Sequence, residues 1–320
     1  MSRFRVVAAA HVAPVFMDAS ASVEKAIDWI ARAAADGVEL IVFPEVFLPG
    51  FPYWINLYAP LLQAELNRRY QDQSVERDGP EIAKLRQAAR EHGIAVVIGA
   101  SERGENSRTC YNSSVMIDRD GGLLGVHRKI KPTYAERYIW GQGDGSGLIV
   151  ADSSVGRLGV LACWEHTMNL ARQSLIEDGE EVHAGLWPGL STMAGFDAVA
   201  DIQIEAMMRN HALTGQCFVI AASSPVTQAM LDFLETELGP QTLMGAGGGW
   251  SAIIHPFATT VAGPVTGTDE CLVRAQIDLD DIKSVKVWVD TAGHYARPDM
   301  LRLQVNRRAL TTRVDMAGTH

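Results

Sequence analysis

The sequence predicts an α/β protein built as a layered sandwich, with two β-sheets face to face and helices outside them. Three observations predict it. Short runs rich in Val, Ile and Leu alternate with amphipathic helical segments along the chain. The β-type runs are frequent and often adjacent, which fits a regular strand–helix–strand alternation poorly. No linker, low-complexity tract or block of like charge divides the chain, so residues 1–320 are expected to form one domain.

In chain order, residues 3–13 (RFRVVAAAHVA) read as a strand. A helix follows, capped by Ser20 or Ser22, with Val23, Ala26, Ile27, Ile30 and Ala34 on one face and Gly37 at its end. Residues 39–45 (ELIVFPE) form a strand terminated by Pro44. Gly79-Pro80-Glu81 opens a second helix with Pro in its first turn, and Gly93 closes it. Strands are expected at 94–100, 111–118, 122–128, 147–152 and 156–163, with a shorter one at 183–187. Helices are expected at 168–178 and 197–213, the second ending at Gly215. A strand at 216–223, a pair at 250–262 and 271–279, and a mixed tail complete the chain.

Apolar residues make up 47% of the 320, enough for a substantial core, which excludes a disordered chain. Lys plus Arg number 28 against 38 Asp plus Glu, a net charge of -10 with no basic run. Such a chain is not expected to bind nucleic acid. No stretch approaches the roughly 18 unbroken apolar residues of a membrane helix. The apolar run near the N-terminus is broken at His11, too soon for a secretory signal, so a cytoplasmic location is expected. Four cysteines, at 110, 163, 217 and 271, contain no Cys-x-x-Cys pair and are expected to be free thiols.

Common motifs are absent: there is no Gly-x-Ser-x-Gly elbow, Walker A loop or His-Glu-x-x-His. The glycine-rich segments GQGDGSG (141–147) and GAGGG (245–249) lead into strands, so they read as turns and not as dinucleotide cradles. The nine histidines form no ligand-like cluster in the sequence, and no metal is expected. A repeated placement stands out instead. IVFP runs into Glu45, LLGVHR into Lys129, and GVLA into Cys163. Sites in α/β proteins gather outside the carboxyl ends of strands. A free thiol is only a few per cent thiolate at neutral pH, so a nucleophilic Cys163 needs a base and a cation. Glu45 and Lys129 supply those types, although from spacing alone they read first as an ordinary ion pair. Cys217 and Cys271 lie in apolar strand runs, where a thiol acts as a small hydrophobe. Cys110 has no ionisable neighbour closer than Arg108.

Four blocks of the chain resemble one family. Phe43-Pro44-Glu45-Val46-Phe47-Leu48-Pro49-Gly50-Phe51-Pro52-Tyr53-Trp54 resembles the first catalytic block of the nitrilase branch of the carbon-nitrogen hydrolase superfamily. His127-Arg128-Lys129-Ile130-Lys131-Pro132-Thr133, with Glu136-Arg137, Trp140 and the glycine-rich segment after it, resembles the second. Cys163-Trp164-Glu165-His166 resembles the third, and the segment from Asp290 to Asp299 (DTAGHYARPD) also matches the branch. These blocks stand in family order across most of the chain.

The resemblance implies a four-layer α-β-β-α sandwich and a Glu-Lys-Cys triad that uses no metal or organic cofactor. Glu45 corresponds to the general base, Lys129 to the cationic stabiliser and Cys163 to the nucleophile. Glu136 corresponds to a second active-site glutamate that helps place substrate and Lys129. Lys131, two residues on, falls where the family pattern has no catalytic group. The implied reaction turns a small-molecule nitrile into acid and ammonia through a thioimidate and an acyl-enzyme. An amidase or carbamoylase on the same triad is the alternative, against which Trp164-Glu165 argues; a non-catalytic binding or assembly protein on this scaffold is the third. Tyr53, Trp164 and Trp187 are the expected substrate-pocket residues, ahead of Trp54. Asn169 stands where many nitrilases have Pro, and His166 replaces the common Asn. Homodimers or higher homo-oligomers are expected, with roughly 285–320 a C-terminal extension used in subunit contacts. Because the chain stops at His320, long filaments are not part of that expectation.

Overall fold

The computed structural model describes residues 3–105 and 107–310. Its layers follow from the two-residue period of the strands. In β1 (Phe4–His11), Val7 and Ala9 face a second sheet, whereas Ala8 and Ala10 lie under the helices α1 (Ala19–Ala35) and α4 (Pro80–His92). In β2 (Leu40–Val42) and β3 (Ala95–Arg103), Leu40, Val42, Ala95 and Val97 point inward while Ile41, Val96 and Ile98 point to the helices. A strand buried on both faces reads as an unbroken apolar run, and these do.

The first sheet is completed by β4 (Cys110–Ile117), β5 (Leu123–Arg128), β6 (Trp140–Gly141) and β13 (Cys271–Asp278). Its order is β13-β1-β2-β3-β4-β5, with β6 beside β4. The second sheet uses β7 (Ala151–Ser153), β8 (Gly156–Ala162), β9 (Val182–Trp187), β10 (Phe218–Ser223), β11 (Ser251–Ile254) and β12 (Thr260–Val265), in the order β12-β11-β10-β9-β8-β7. Leu158, Val160, Ala184, Leu186, Phe218 and Ile220 meet the first sheet. On the outer face, Val219 and Ala221 pack on Ile204, Met208 and Ala212 of α6 (Ala200–Gly215). The result is the α-β-β-α sandwich. The centre of each sheet is parallel, β1-β2-β3 in one and β8-β9-β10 in the other. Because β4 is antiparallel to both β3 and β5, β5 runs with β2 and β3, and their carboxyl ends share one edge.

Several elements differ from the sequence expectation. Asp18 caps α1, its Oδ1 accepting the Ala21 N–H at 2.9 Å. Ser22 is buried instead and exchanges hydrogen bonds with the Val15 backbone at 2.9 and 3.0 Å. The expected strand at 39–45 pairs only over Leu40–Val42, so Glu45 stands in a turn beyond it. The expected strand at 147–152 pairs only from Ala151, and the expected 250–262 strand is two, β11 and β12. Helices α2 (Trp54–Leu57), α3 (Ala64–Gln73), α7 (Gln228–Leu238) and α8 (Asp281–Lys286) were not expected. α3 buries only Leu66 and Tyr70, too few apolar residues to show a period. Helix α5 (Asn169–Glu177) begins at Asn169, whose Oδ1 accepts from Arg172 at 2.6 Å. Cys110, Cys163 and Cys217 are buried free thiols, whereas Cys271, expected in an apolar strand interior, is half-buried at the start of β13. The expected C-terminal extension follows α8 as irregular chain to residue 310, and residues 311–320 lie outside the described residues. No helix among the described residues is long and apolar enough to cross a membrane.

Candidate active site

Two segments that leave the shared edge of the first sheet, after β2 and β5, and the turn after β8 of the second sheet bring Glu45, Lys129 and Cys163 together. Lys129 directly follows β5, and its Nζ donates to Glu45 Oε1 at 2.9 Å and to the two Glu136 oxygens at 2.9 and 2.8 Å. Glu45, Glu136 and Cys163 each bring an oxygen or sulfur within 4.8 Å of the others, all buried. Such a donor set could hold a cation, but the Lys129 ammonium already serves both carboxylates. Lys131 is exposed and bonds Gln142 at 2.7 Å, away from the cluster.

The backbone is bent to reach this arrangement. Val46, Tyr134 and Cys163 have φ of 47°, 45° and 53°, a region costly for residues with a Cβ. One follows Glu45, one shortly precedes Glu136, and one is the cysteine itself. Gly99 lets the Glu45 turn lie against β3, donating its N–H to Pro44 O at 3.2 Å; a Cβ there would run into the Pro44 and Val46 backbone. The glycine-rich 141–147 segment wraps the Lys129 strand end, with the Gly143 N–H donating to Lys129 O at 2.9 Å. Its glycines therefore serve close packing, as turns.

Burial and charge set the protonation states. Burial pushes the Glu45 carboxyl up to about 7, with Lys129 opposing and Glu136 adding to the rise. Burial opposes the Lys129 charge, but Glu136 and Glu45 outweigh it and hold the ammonium well above its ordinary range. Burial, reinforced by Glu45, pushes the Cys163 thiol well up, against the pull of Lys129 and of the Trp164 N–H. The resting group is therefore a thiol beside a carboxylate able to take its proton, not a preformed thiolate. Asn112 Nδ2 donates to Glu45 Oε1 at 2.6 Å, while Glu45 Oε2 is buried with no protein partner among the described residues.

Glu165 ties the lysine loop to the cysteine turn. Its fully buried carboxylate accepts the Ile130 N–H at 2.8 Å, the Ala162 N–H at 3.1 Å and His127 Nε2–H at 2.9 Å on each oxygen. His127 Nδ1 faces Gly147 O at 3.2 Å, so both ring nitrogens meet acceptors. Burial works against both charges, yet the pair holds Glu165 below and His127 above their ordinary values.

A cavity of about 490 Å³ opens on Cys163 and Glu136. Phe51, Leu57, Met193, Phe196 and Leu243 form much of its wall, with Trp164 edge-on to Phe196 at 5.7 Å. Of the expected pocket residues, only Trp164 lines this cavity. Tyr53 is buried behind it, its hydroxyl accepting the Gly189 N–H at 3.0 Å. Trp187 is fully buried and stacks on His166 at 5.2 Å, out of the wall, so its placement is that of a core aromatic.

The Carbon-nitrogen hydrolase family model matches residues 6–287, which decides the family. The chain belongs to the carbon-nitrogen hydrolases. Within them it falls in the nitrilase branch. This carbon-nitrogen hydrolase is 41% identical over 310 residues to an aliphatic nitrilase of Rhodococcus rhodochrous, covering 95% of this chain and 83% of that protein. It is 37% identical over 310 residues to an arylacetonitrilase of Aspergillus niger, covering 95% and 92%. The crystal structure of a carbon-nitrogen hydrolase from Helicobacter pylori G27 superposes with a TM-score of 0.72 at 18% identity, over 91% of this chain and 95% of that one. That likeness concerns the fold.

The hydrolase also contains a cluster invisible in the sequence. His183 and His211 both bond Glu180, and His166 joins them through His183, behind the cysteine turn. Their spacings of 17 and 28 residues match no helix or strand period, and only the stacking of the cysteine turn, β9 and α6 brings them together.

Proposed function

We propose that this chain hydrolyses an organic nitrile to the carboxylic acid and ammonia, with Glu45 as base, Lys129 as cation and Cys163 as nucleophile. The observation that carries the proposal is the Lys129 ammonium bonded to both Glu45 and Glu136 at 2.8–2.9 Å, with the Cys163 sulfur within 4.8 Å of the same carboxylates. Cys163 Sγ adds to the nitrile carbon as its proton passes to Glu45. The displaced C≡N electron pair moves onto nitrogen, which takes that proton back to give a thioimidate. Water, deprotonated by Glu45, adds to the same carbon, and the tetrahedral adduct expels ammonia to leave an acyl-enzyme. A second water then releases the acid and restores the thiol.

Each addition builds negative charge on nitrogen or oxygen. Lys129 and the Trp164 N–H are donors suited to hold it, each worth about 3 kcal/mol in a dry, preorganised site. The apolar wall supports a neutral nitrile with an aliphatic or arylaliphatic group, and the 490 Å³ volume is far larger than cyanide requires. The same groups would serve amide cleavage, but no observation favours that reading. Ammonia release from phenylacetonitrile, benzonitrile, an aliphatic dinitrile, cyanide and the matching amides tests the proposal. Turnover of nitriles with little from amides is expected; turnover of amides alone would refute it.

We further propose a homo-oligomer. Leu170 on α5 and Ile202 and Leu213 on the adjoining α6 are large exposed apolar groups, as is Trp288 after α8. Light scattering that returns a monomer at micromolar concentration would refute this.

A further inference from the structure

The four buried side chains behind the cysteine turn form one hydrogen-bonded chain that ends on the nucleophile's own backbone. His166 Nδ1 lies 2.6 Å from Cys163 O, His166 Nε2 lies 2.9 Å from His183 Nε2, and His183 Nδ1 lies 2.7 Å from Glu180 Oε1. Glu180 Oε2 in turn lies 2.7 Å from His211 Nε2. Every one of these side chains is fully or almost fully buried, so no solvent proton disorders the chain.

Donor and acceptor roles then follow by elimination. A carbonyl can only accept, so His166 carries a proton on Nδ1, and because burial keeps the ring neutral its Nε2 is a lone pair. His183 must therefore donate from Nε2. At its other nitrogen, a lone pair facing a carboxylate oxygen at 2.7 Å would be repulsive, so one proton also lies between His183 Nδ1 and Glu180 Oε1. His211 donates from Nε2 to the second oxygen, and its Nδ1 has no protein partner among the described residues. The proton count of the chain is thus fixed and its net charge is zero. Two histidine N–H groups on one carboxylate favour Glu180 as the anion, leaving His183 doubly protonated. Burial opposes the Glu180 charge, but His183 and His211 outweigh it and hold the carboxyl down to about 2, while burial and the neighbouring His183 keep His166 and His211 neutral.

We propose that His166, His183, Glu180 and His211 are a proton-ordered positioning relay for Cys163. Its His166 end clamps the Cys163 carbonyl on the core side of the turn. That holds the residue at its positive φ, with the sulfur on the cavity side and the Trp164 N–H beside it. Trp187, stacked at 17° on the His166 ring, fixes the ring plane. Glu180, His211 and Cys217 also bring donor atoms within 4.8 Å of one another. Both Glu180 oxygens and His211 Nε2 are already committed to the relay, which favours this reading over a metal site. The proposal rests on Cys163 as the nucleophile, which Cys163→Ala tests by itself.

Nitrogen-15 NMR of histidine-labelled enzyme, paired with steady-state kinetics, tests the relay. Wild type should show His166 protonated on Nδ1, His211 on Nε2 and His183 on both nitrogens. Glu180→Gln offers an amide N–H to His183 Nδ1 and a carbonyl to His211. It should preserve the order with His183 now neutral, and keep kcat within ~3-fold. His166→Phe keeps the stack on Trp187 but removes the clamp, and should lower kcat ~10- to 100-fold with little change in KM. Glu180→Met should do the same if it folds. His166 found protonated on Nε2, a folded His166→Phe with wild-type kcat, or Glu180→Gln as impaired as Glu180→Met would each overturn the relay. None of those outcomes bears on whether Cys163 is the nucleophile.

Discussion

Replacing Glu136 with Gln removes one of the two carboxylates that share the Lys129 ammonium, at nearly constant volume. Glu45 is pushed up to about 7, first by burial and then, against Lys129, by the Glu136 charge. Because the base works only when ionised, activity should climb with pH along an acid limb near 7. The Glu45 and Glu136 oxygens lie within 4.8 Å. Two unit charges at that spacing interact by about 3 kcal/mol at an effective dielectric near ~20, or about 2 pKa units. Lys129 lies between the two and already offsets part of this, so a fall of about 1–2 units is expected. The limb of kcat/KM, followed by ammonia release from a nitrile across pH 5–9, should therefore move down toward about 5–6. The plateau should also drop, since Lys129 loses one of its three hydrogen-bond contacts and the charge of one partner. Limb position and plateau height are read separately. A limb that stays near 7 or moves up would refute the assignment of that titration to a Glu45 carboxylate coupled to Glu136.

Other outcomes are expected at the neighbouring residues and in acid. Cys163→Ala should cut turnover by ~10³-fold or more while leaving the thermal midpoint close to wild type; activity retained in the folded variant would remove it as nucleophile. Lys129→Ala should abolish activity and, by stranding two buried carboxylates, cost about 3–5 kcal/mol in urea unfolding. Lys131→Ala, at an exposed side chain, should be mild in both assays, and the reverse order would overturn the lysine assignment. Phe196→Ala should widen the cavity and weaken kcat/KM for an apolar nitrile ~10- to 100-fold, with little loss for the smallest substrates. Acid should destabilise the fold. His166 and His211 are both pushed down, His211 to about 4, and Glu180 is held down to about 2; at these three groups the unfolded chain binds more protons from about pH 6.5 downward, against the one extra proton that the folded chain holds at Glu45. Their stabilising contribution is complete above pH 6.5 and declines as pH falls through 4 toward 2. A calorimetric midpoint that is flat from pH 7 to 4 would contradict this.

The blocks around Glu45, Lys129 and Cys163 were legible because their bonding is local in the chain. Glu45, Lys129 and Cys163 each follow an apolar strand run, and the residues around each carry a pattern that nearby bonding requires. Thr133 N–H donates to Glu136 Oε2 at 2.9 Å within one turn, and Ala162 N–H to Glu165 Oε2 at 3.1 Å within another. The two-sheet architecture was legible for a similar reason, since strands buried on both faces must read as apolar runs. Asp18 was missed as a cap because two serines just after it compete for the same role. Helix α3 was missed because its hydrogen bonds, not an apolar stripe, account for most of its residues.

What the chain alone carried was therefore most of the element types, the two-sheet class and the names of the residues that the structure gathers around Lys129. Tertiary packing decided distances and environments. Trp187 looks like a pocket aromatic until β9 places it under the cysteine turn, stacked on His166. Glu180 and three histidines look like scattered polar residues until the cysteine turn, β9 and α6 close a dry space around them. The physical reason is one of range. Propensity, capping and alternation act over a few residues, whereas desolvation and hydrogen-bond pairing of buried charges depend on which distant segments are stacked together.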